Sequence, residues 1–444
     1  MNKQLDMKRI TILIVGSRGD LQPFLALGVG LQRFGHSVKI AAPLVFEGWI
    51  RSYGLDYAPV RFNPQEYLKN PEMQKLMQSR NLIRLFRDLE RLMEPKLKSM
   101  FIDFWQASQG ADAILCQAAP TGACDCAEKL GVPYVCGQLL PVNPTREFPC
   151  ISMPPIPLLP PFLRGCYNRL THLIVEQGMW MGINRPLNRW REQTLHLPPI
   201  SFSGFYAHLR ARRVPILFGY SPAVVPRPKD WADWQYVTGY WFFESSSDWQ
   251  PPAALVEFLE SGPPPVFIGF GSMMDDHPER LTRLVIDALK LVGQRGVLLS
   301  GWAGLGEADL PNYVFKIESI PFDWLFPRMA AVVHHGGAGT TGAGLRSGIP
   351  SIITPFIADQ FGWGRIVSEL GVGPKAIPIK KLTAERLAAA ILTALADQNM
   401  RTRAAALGEK IRKEDGVGEA VRLIEQHTAN LALPKTSFFT RQSS

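Results

Sequence analysis

The chain has 444 residues, of which 46% are hydrophobic, so two or three domains with substantial cores are expected. Lys and Arg outnumber Asp and Glu by 48 to 39, and the formal charge of +9 suits an anionic ligand or membrane surface, although ordinary basicity explains it equally well. The apolar run near the N-terminus is too short for a secretion signal and no run reaches about 18 apolar residues, which predicts a cytoplasmic protein, soluble or peripheral.

The first half of the chain predicts strands and helices in alternation. ITILIV at 10–15 is an apolar run bounded by glycine, which indicates a buried strand, and the loop GSRGD follows it. LQPFLALGVGLQRFG has helical spacing, and SVKIAAP is the next strand. Further strands are expected at 56–60, 113–117 and 132–136. Together these elements indicate a doubly wound α/β unit.

Two stretches depart from this alternation. Residues 64–107 are amphipathic and largely helical in pattern. Residues 139–200 are rich in proline and apolar residues and then carry arginines and tryptophans, so we expect an insertion that lines a cleft or touches a membrane. All six cysteines fall between Cys116 and Cys166 without the Cys-x2-Cys spacing of zinc sites, and we expect free, buried thiols.

A second α/β cycle begins near residue 265. Its predicted strands are PVFIGF, GVLLS, NYVFKIES, MAAVVHH and PSIITP, and late helices are expected at 383–396 and 400–428. The fold class is therefore α/β, with two doubly wound units facing each other across a cleft and ligands at the carboxyl ends of strands. The predicted divisions are a first domain at 1–228, a linker at 229–252, a second domain at 253–412, and a helix with a tail at 413–444 that returns to the first domain.

The segment HHGGAGTT follows a predicted strand and predicts an anion-binding helix start. The first N–H groups of a helix lack intrahelical partners and carry about half a positive charge. Gly337 and Gly339 let a ligand approach this backbone, Thr340 can cap the helix or donate its hydroxyl, and His335 is placed to donate a further hydrogen bond. The alternative is a glycine-rich turn with a capping threonine. The segment lacks the P-loop lysine, and GSRGD does not match the dinucleotide fingerprint, so both of those sites are disfavoured.

Several motifs together resemble those of GT-B glycosyltransferases. HHGGAGTT with the later G-x-P, P-F, Asp-Gln and Trp-Gly elements is similar to their nucleotide-sugar motif. VGSRGDLQPFLALG, VTGYWF, IGFGSM and LFPRMAAVVHHGG are similar to the sterol 3β-glucosyltransferase and antibiotic glycosyltransferase branch of the UDP-glycosyltransferase superfamily. The resemblance implies two Rossmann-like domains, an acceptor site in the first, a UDP-sugar such as UDP-glucose in the second, and no cofactor besides that co-substrate.

The resemblance also implies roles for individual residues at the diphosphate. His335, Gly337, Gly339 and Thr340 match positions that contact the donor diphosphate, and Ser272 matches another contact on the phosphate side. These groups would oppose the charge of the leaving diphosphate, one preorganised donor being worth roughly 3 to 4 kcal/mol. A metal ion is then not required.

At the sugar and the base, Asp359 and Gln360 match the pair that holds the sugar hydroxyls, and Trp302 matches a residue beside the uracil. The resemblance further implies that the backbone of the segment ESIPF contacts the uracil. Ala343 stands where plant small-molecule transferases carry a ribose-binding glutamate, which points away from the plant branch.

Asp20 is predicted to be the general base that takes the proton of the acceptor hydroxyl, a contribution of roughly 10² to 10⁴-fold. It matches the catalytic aspartate proposed for the family, and the alternative is that it only caps the following helix. Ser17, Arg18 and Gly19 would shape the loop, and Arg18 could also approach the donor phosphates. In-line displacement from an α-linked donor would give a β-glycoside, the inverting outcome. The pair Asp275-Asp276 fits a helix cap better than a metal site.

The acceptor is expected to be a lipophilic alcohol, with a sterol as the first choice and macrolide-like polyketides or carotenoid alcohols as alternatives. The apolar and basic content of 139–200 would allow this segment to lie on anionic lipid while it feeds the alcohol into the cleft. An ordinary core-packing segment with solvated arginines explains the same composition. No nucleic-acid partner is expected. A nucleotide-sugar epimerase of the same shape and a catalytically silent lipid- or nucleotide-binding protein are the competing classes.

Overall fold

The computed structural model describes most of the chain. The described residues are 7–62, 82–117, 121–243, 249–271, 273, 278–301, 305–306 and 309–429, with only the backbone for 82–93. Within these residues the chain forms two separate parallel sheets with helices packed on their faces. The prediction of an α/β fold with two doubly wound units is confirmed.

The N-terminal sheet has seven parallel strands in the order β3-β2-β1-β4-β5-β6-β7. They are β1 (Arg9–Leu13), β2 (Ser37–Pro43), β3 (Asp56–Val60), β4 (Ala113–Gln117), β5 (Tyr134–Gln138), β6 (Ile216–Phe218) and β7 (Gln235–Val237). In the centre, Ile12 pairs with Ile40 on one side and with Leu115 on the other. All three side chains are buried, as expected for parallel strands covered on both faces.

The C-terminal sheet has five parallel strands in the order β10-β9-β8-β11-β12. They are β8 (Val266–Gly269), β9 (Gly296–Leu299), β10 (Val314–Ile317), β11 (Ala331–His334) and β12 (Ser351–Ile353). In both sheets the chain order reverses beside a central strand, at β1/β4 and at β8/β11. Ligands of open parallel sheets bind outside the carboxyl ends of strands at such switch points, so each unit presents one such edge.

The described helices cover both faces of each sheet. They are α1 (Arg18–Arg33), α2 (Glu47–Arg51), α3 (Leu82–Ser108), α4 (Ala123–Leu130), α5 (Pro161–Trp190), α6 (Phe205–Ala211), α7 (Ala253–Glu260), α8 (Pro278–Val292), α9 (Phe322–Leu325), α10 (Ala338–Ser347), α11 (Gln360–Glu369), α12 (Ala384–Ala396), α13 (Gln398–Arg412) and α14 (Gly416–Ala429). Among the described residues, no helix has the length and apolar content needed to cross a bilayer.

The structure departs from the sequence predictions at β7, at the break between α13 and α14, and at Cys166. β7 lies inside the range 229–252 that the sequence predicts as a linker, and it pairs with β6, so the N-terminal sheet extends past residue 228. The helix predicted at 400–428 is broken, because α13 ends at Arg412 and α14 begins at Gly416. The proline-rich insertion contains the 30-residue helix α5. Of the six cysteines five are buried, whereas Cys166 on α5 is exposed.

Helix α14 packs on the N-terminal unit although it follows the C-terminal one. Val421 and Ile424 belong to the same buried cluster as Leu27 and Ile40. Gly30 of α1 leaves room for this contact, since a Cβ there would lie 2.5 Å from a methyl of Val417. The chain therefore crosses between the two units twice, once near residue 240 and once near residue 414.

Candidate active site

Two helices from different units begin at the cleft. α1 follows β1 through the loop Gly16-Ser17, and α10 follows β11 through His335-Gly336. Both helices start where a parallel strand ends, and they pack against each other across the boundary between the units. Because the two helix starts carry the partial positive charge of their dipoles, an anion in the cleft would be stabilised from both sides.

Asp20 lies in the first turn of α1, and its carboxylate is oriented by three hydrogen bonds. The backbone N–H of Ser17 donates to Asp20 Oδ2 at 2.8 Å, and the Ser17 hydroxyl lies 3.0 Å from the same oxygen. Gln117, at the end of β4, donates from Nε2 to Asp20 Oδ1 at 3.3 Å. A carboxylate offers about four acceptor positions, so Oδ1 can still accept a proton. The N-cap of α1 is Ser17 and not Asp20, so the alternative prediction was wrong in its position: Asp20 is the third residue of the helix and completes a capping box with Ser17. Its Oδ1 keeps an acceptor position for a substrate.

Gly16 makes this arrangement of Asp20 possible. Its φ of +144° lies in a region that favours glycine, and a Cβ at this position would lie 2.3 Å from Asp20 Oδ2. A side chain at residue 16 would therefore displace the carboxylate.

Arg18 reaches across the cleft. Its Nη1 donates to Ser319 Oγ at 3.2 Å, and its guanidinium carbon lies 4.9 Å from the ring centroid of Trp49. Burial lowers the pKa of Arg18 from its ordinary value. Arg18 therefore does more than shape its own loop, because Ser319 belongs to the segment ESIPF of the other unit. The sequence alone does not identify Ser319 or Trp49 as a partner of Arg18. Gly19 beside it is exposed.

The start of α10 combines a tight position with an open one. At Gly337 a Cβ would lie 2.4 Å from His335 Nε2, so only glycine keeps the imidazole in place. A Cβ built on Gly339 would have no atom within 4 Å apart from the adjacent residues and the backbone of its own helix. This turn of the backbone therefore faces open space. Thr340 is partly exposed in the same turn. The helix has no acidic residue in its first turn, which leaves its dipole available to an anionic ligand.

The two histidines before α10 are both buried. Burial lowers the pKa of His335 to about 4, and burial together with His335 lowers the pKa of His334 well below its ordinary value. Both imidazoles are therefore neutral at pH 7, and each can donate one N–H. The Gly336 N–H donates to His334 Nδ1 at 3.1 Å, so His334 holds the turn. His335, with Nε2 beside Gly337, is the one that points at the helix start.

Asp359 and Gln360 have different surroundings. Burial, and to a smaller extent the charge of Asp20 across the cleft, raise the pKa of Asp359 to about 6. Gln360 is buried, and its Oε1 accepts from the N–H groups of Phe356 and Ile357 at 2.8 and 3.1 Å. Gln360 therefore holds the turn that carries Asp359, instead of presenting both ends of its amide to a ligand.

That turn is also strained. Ala358 has a φ of +51°, a left-handed conformation that costs a non-glycine residue of order 1–3 kcal/mol. Ala358 directly precedes Asp359, which is the N-cap residue of α11, and the hydrogen bonds of Gln360 lie in the same turn. Such strain is typical of functional sites.

The insertion closes one side of the cleft. A Cβ on Gly362 of α11 would lie 2.3 Å from the Ile151 carbonyl oxygen, and Arg365 Nη1 donates to the Met153 carbonyl at 3.2 Å. The segment after β5 thus packs against the helix that follows Asp359. The structure brings Asp20, Arg18, His335, the start of α10 and Asp359 to one cleft. The predicted contacts Ser272 and Trp302 lie outside the described residues, and so does the pair Asp275-Asp276.

Two family models match the chain. The Glycosyltransferase family 28 N-terminal domain matches residues 10–149, and the Erythromycin biosynthesis protein CIII-like C-terminal domain matches residues 297–425. The first match begins with β1 and carries Asp20, and the second carries the α10 start and Asp359.

Curated relatives cover nearly the whole chain. The sterol 3-beta-glucosyltransferase of Emericella nidulans is 39% identical over 95% of this chain and 30% of that protein. The sterol 3-beta-glucosyltransferase of Yarrowia lipolytica is 37% identical over 93% of this chain and 28% of that protein. The chain therefore spans about 30% of the length of these curated relatives.

Solved structures match both sheets together. The kitacinnamycin glycosyltransferase superposes with a TM-score of 0.68 at 19% identity, covering 95% of this chain and 99% of that chain. The Streptomyces sp. SF2575 glycosyltransferase SsfS6, complexed with thymidine diphosphate, gives 0.62 at 18% identity, covering 94% of this chain and 99% of that one. These comparisons confirm the GT-B fold and the family resemblance of the motifs.

Proposed function

Because this chain has the GT-B fold and is similar over most of its length to sterol 3-beta-glucosyltransferases, we propose that it transfers a hexose, glucose first, from a UDP-sugar to a sterol hydroxyl. The observation that carries the proposal is the arrangement across the cleft. The oriented Asp20 carboxylate stands close enough to Asp359 to raise its pKa, beside a helix start that faces open space at Gly339. In this proposal Asp20 accepts the proton, Asp359 binds the sugar hydroxyls and the start of α10 binds the diphosphate, all facing the same part of the cleft.

The proposed reaction begins with the acceptor hydroxyl donating a hydrogen bond to Asp20 Oδ1. As the oxygen attacks the anomeric carbon, its proton passes to the carboxylate and the bond to the diphosphate breaks. Attack from the side opposite the leaving group inverts the anomeric centre and gives a β-glycoside from an α-linked donor. General-base assistance of this kind contributes roughly 10² to 10⁴-fold.

The leaving diphosphate would lie against the N–H groups of Ala338, Gly339 and Thr340, with the neutral His335 as a further donor. One preorganised donor at a developing charge is worth roughly 3 to 4 kcal/mol. These groups supply the charge stabilisation that a divalent cation provides elsewhere, so the proposal includes no metal ion. Transfer rates should therefore be the same with and without a chelator.

Asp20→Asn tests the base. The asparagine keeps the shape of the side chain but removes the proton acceptor, so UDP binding should persist while transfer falls by about 10² to 10⁴-fold. UDP binding is measured by calorimetry, and transfer is measured by mass spectrometry with UDP-sugars against sterols, carotenoid alcohols and polyketides.

Asp397→Asn is the matched control, because Asp397 caps α13 by accepting from the Met400 N–H at 2.9 Å. If Asp20 acted only as a cap, both variants would lose stability and neither would lose transfer. Near-normal transfer by Asp20→Asn would reject the base, and a product retained in α configuration would reject the inverting mechanism.

We also propose that the enzyme works at a membrane surface, because sterols reside in lipid. The exposed apolar and basic side chains of the insertion support this.

A further inference from the structure

One long surface of the N-terminal unit exposes large apolar side chains. Leu158, in the loop before α5, is 96% exposed, and Phe162, in the first turn of α5, is 77% exposed. Further exposed residues of α5 lie four and seven positions apart. We call this surface the α5 face; its residues are Leu158, Phe162, Leu163, Leu170, Ile174 and Met181. Residues at these spacings share one side of a helix, so the exposed side chains form a continuous stripe.

The opposite side of α5 is anchored in the unit. His172 is buried and its ring nitrogens lie 2.8 Å from the Val142 carbonyl and 3.1 Å from the Phe148 carbonyl. Trp180 and Leu187 are buried in the same core. The helix therefore cannot turn its apolar stripe inward, and the core-packing explanation of this composition fails for the α5 face.

The charges around the stripe are positive. α5 carries four arginines and one glutamate, and the loop at 151–160 carries no charge. Arg189, near the end of α5, is paired with Glu94 of α3. The single acid, Glu176, is paired with Arg210 at 2.7 Å. Arg164, Arg169 and Arg185 are exposed. Apolar side chains flanked by arginines suit the headgroup region of an anionic bilayer.

We propose that the α5 face docks on an anionic lipid surface, with its apolar side chains among the acyl chains and its arginines at the lipid phosphates and carboxylates. A second copy of the chain fits less well, because a symmetric contact of this face with itself would set arginines against arginines. The proposal deepens the proposed function, since it locates the surface that would take up a membrane-borne acceptor.

The same segment connects this surface to the cleft. The loop at 151–160 packs on α11 through Ile151 and Met153 at one end and exposes Leu158 at the other. Tyr167 of α5 fastens the loop by donating to the Pro154 carbonyl at 2.6 Å. A lipid surface held by the α5 face would therefore lie next to the side of the cleft that the insertion closes.

Cys166 provides the experiment, because it is the exposed one of the six cysteines and lies on α5 within the stripe. An environment-sensitive fluorophore attached there is mixed with vesicles of phosphatidylcholine alone or of phosphatidylcholine with phosphatidylserine. A blue shift with the mixed vesicles only is expected. Equal responses to both vesicles, or none to either, would overturn the proposal. No sugar donor or acceptor is added, so this result is independent of the reaction.

Vesicle sedimentation of unlabelled variants supplies the second measurement. Arg164→Gln with Arg169→Gln should weaken partitioning roughly 25-fold, about fivefold per arginine. Phe162→Ser should weaken it about tenfold or more. Leu291→Ser and Leu392→Ser, which change exposed leucines of the C-terminal unit, are the matched controls and should bind as the parent does. UDP binding should stay unchanged in all of them.

Equal losses in the controls would overturn the assignment to the α5 face. The protein could instead fail to bind vesicles and form a dimer in light scattering. If Phe162→Ser dissociated that dimer, the partner of the α5 face would be a second copy of the chain.

Discussion

Asp359→Asn should make the protein more stable at alkaline pH while it removes donor recognition. Burial raises the pKa of Asp359 from an ordinary 3.8 to about 6, so the fold disfavours the ionised form that we propose to bind the sugar hydroxyls. An asparagine of the same shape carries no charge and avoids that cost. The residue is therefore expected to reduce stability in exchange for function.

The size of the effect follows from the two pKa values. One pKa unit corresponds to about 1.4 kcal/mol, so the ionised Asp359 destabilises the fold by about 3 kcal/mol at high pH. Because the folded pKa is the higher one, the stabilisation from the protonated form is complete below pH 3.8 and is lost as the pH rises through about 6. The advantage of the asparagine variant should thus grow over this range and level off above it.

Urea unfolding of the parent and the variant at roughly pH 4.5 and pH 8 measures this difference. Asp56→Asn, which changes an exposed aspartate on β3, is the control for the loss of a carboxylate at the surface. The reasoning would be refuted if the difference in free energy of unfolding between Asp359→Asn and the parent were independent of pH. It would also be refuted if the parent were the more stable protein at pH 8.

The same titration should appear in catalysis. As the pH falls below about 6, Asp359 gains a proton and accepts fewer hydrogen bonds from the sugar, so the KM for the donor should rise. In Asp359→Asn the KM should be high and insensitive to pH in this range.

Two further substitutions test the helix start and the contact across the cleft. Gly339→Ala adds a methyl group where a Cβ meets no other part of the protein within 4 Å, so the fold should persist. The methyl group would obstruct the diphosphate, and the Kd for UDP should rise by about tenfold or more. Unchanged affinity in calorimetry would place the diphosphate elsewhere. Arg18→Ala removes the 3.2 Å hydrogen bond to Ser319 and should raise the donor KM about fivefold with kcat little changed, and a fall in kcat alone would contradict this role.

Local patterns in the sequence determine most of the architecture. Apolar runs separated by helical periodicity predict both sheets because strands and helices of these lengths are specified by neighbouring residues. The sequence does not predict β6 and β7, which have three residues each, although it predicts β12 of the same length within the apolar run PSIITP. The glycines before α10 and the aspartate of GSRGD identify two halves of a site, because a strand-to-helix turn is itself a local structure.

Only the tertiary structure decides how those halves meet. Arg18 and Ser319 lie 301 positions apart, and no periodicity links them. The sequence predicts Gln360 as a sugar contact, and only the structure shows that its Oε1 also accepts from the N–H groups of Phe356 and Ile357 in the turn of Asp359.

The same limit applies to the insertion. Its composition predicts apolar and basic character, but which side of α5 faces outward depends on the core that anchors His172 and Trp180 on the other side. Burial depends on what packs against a residue, and those partners are usually distant in the chain.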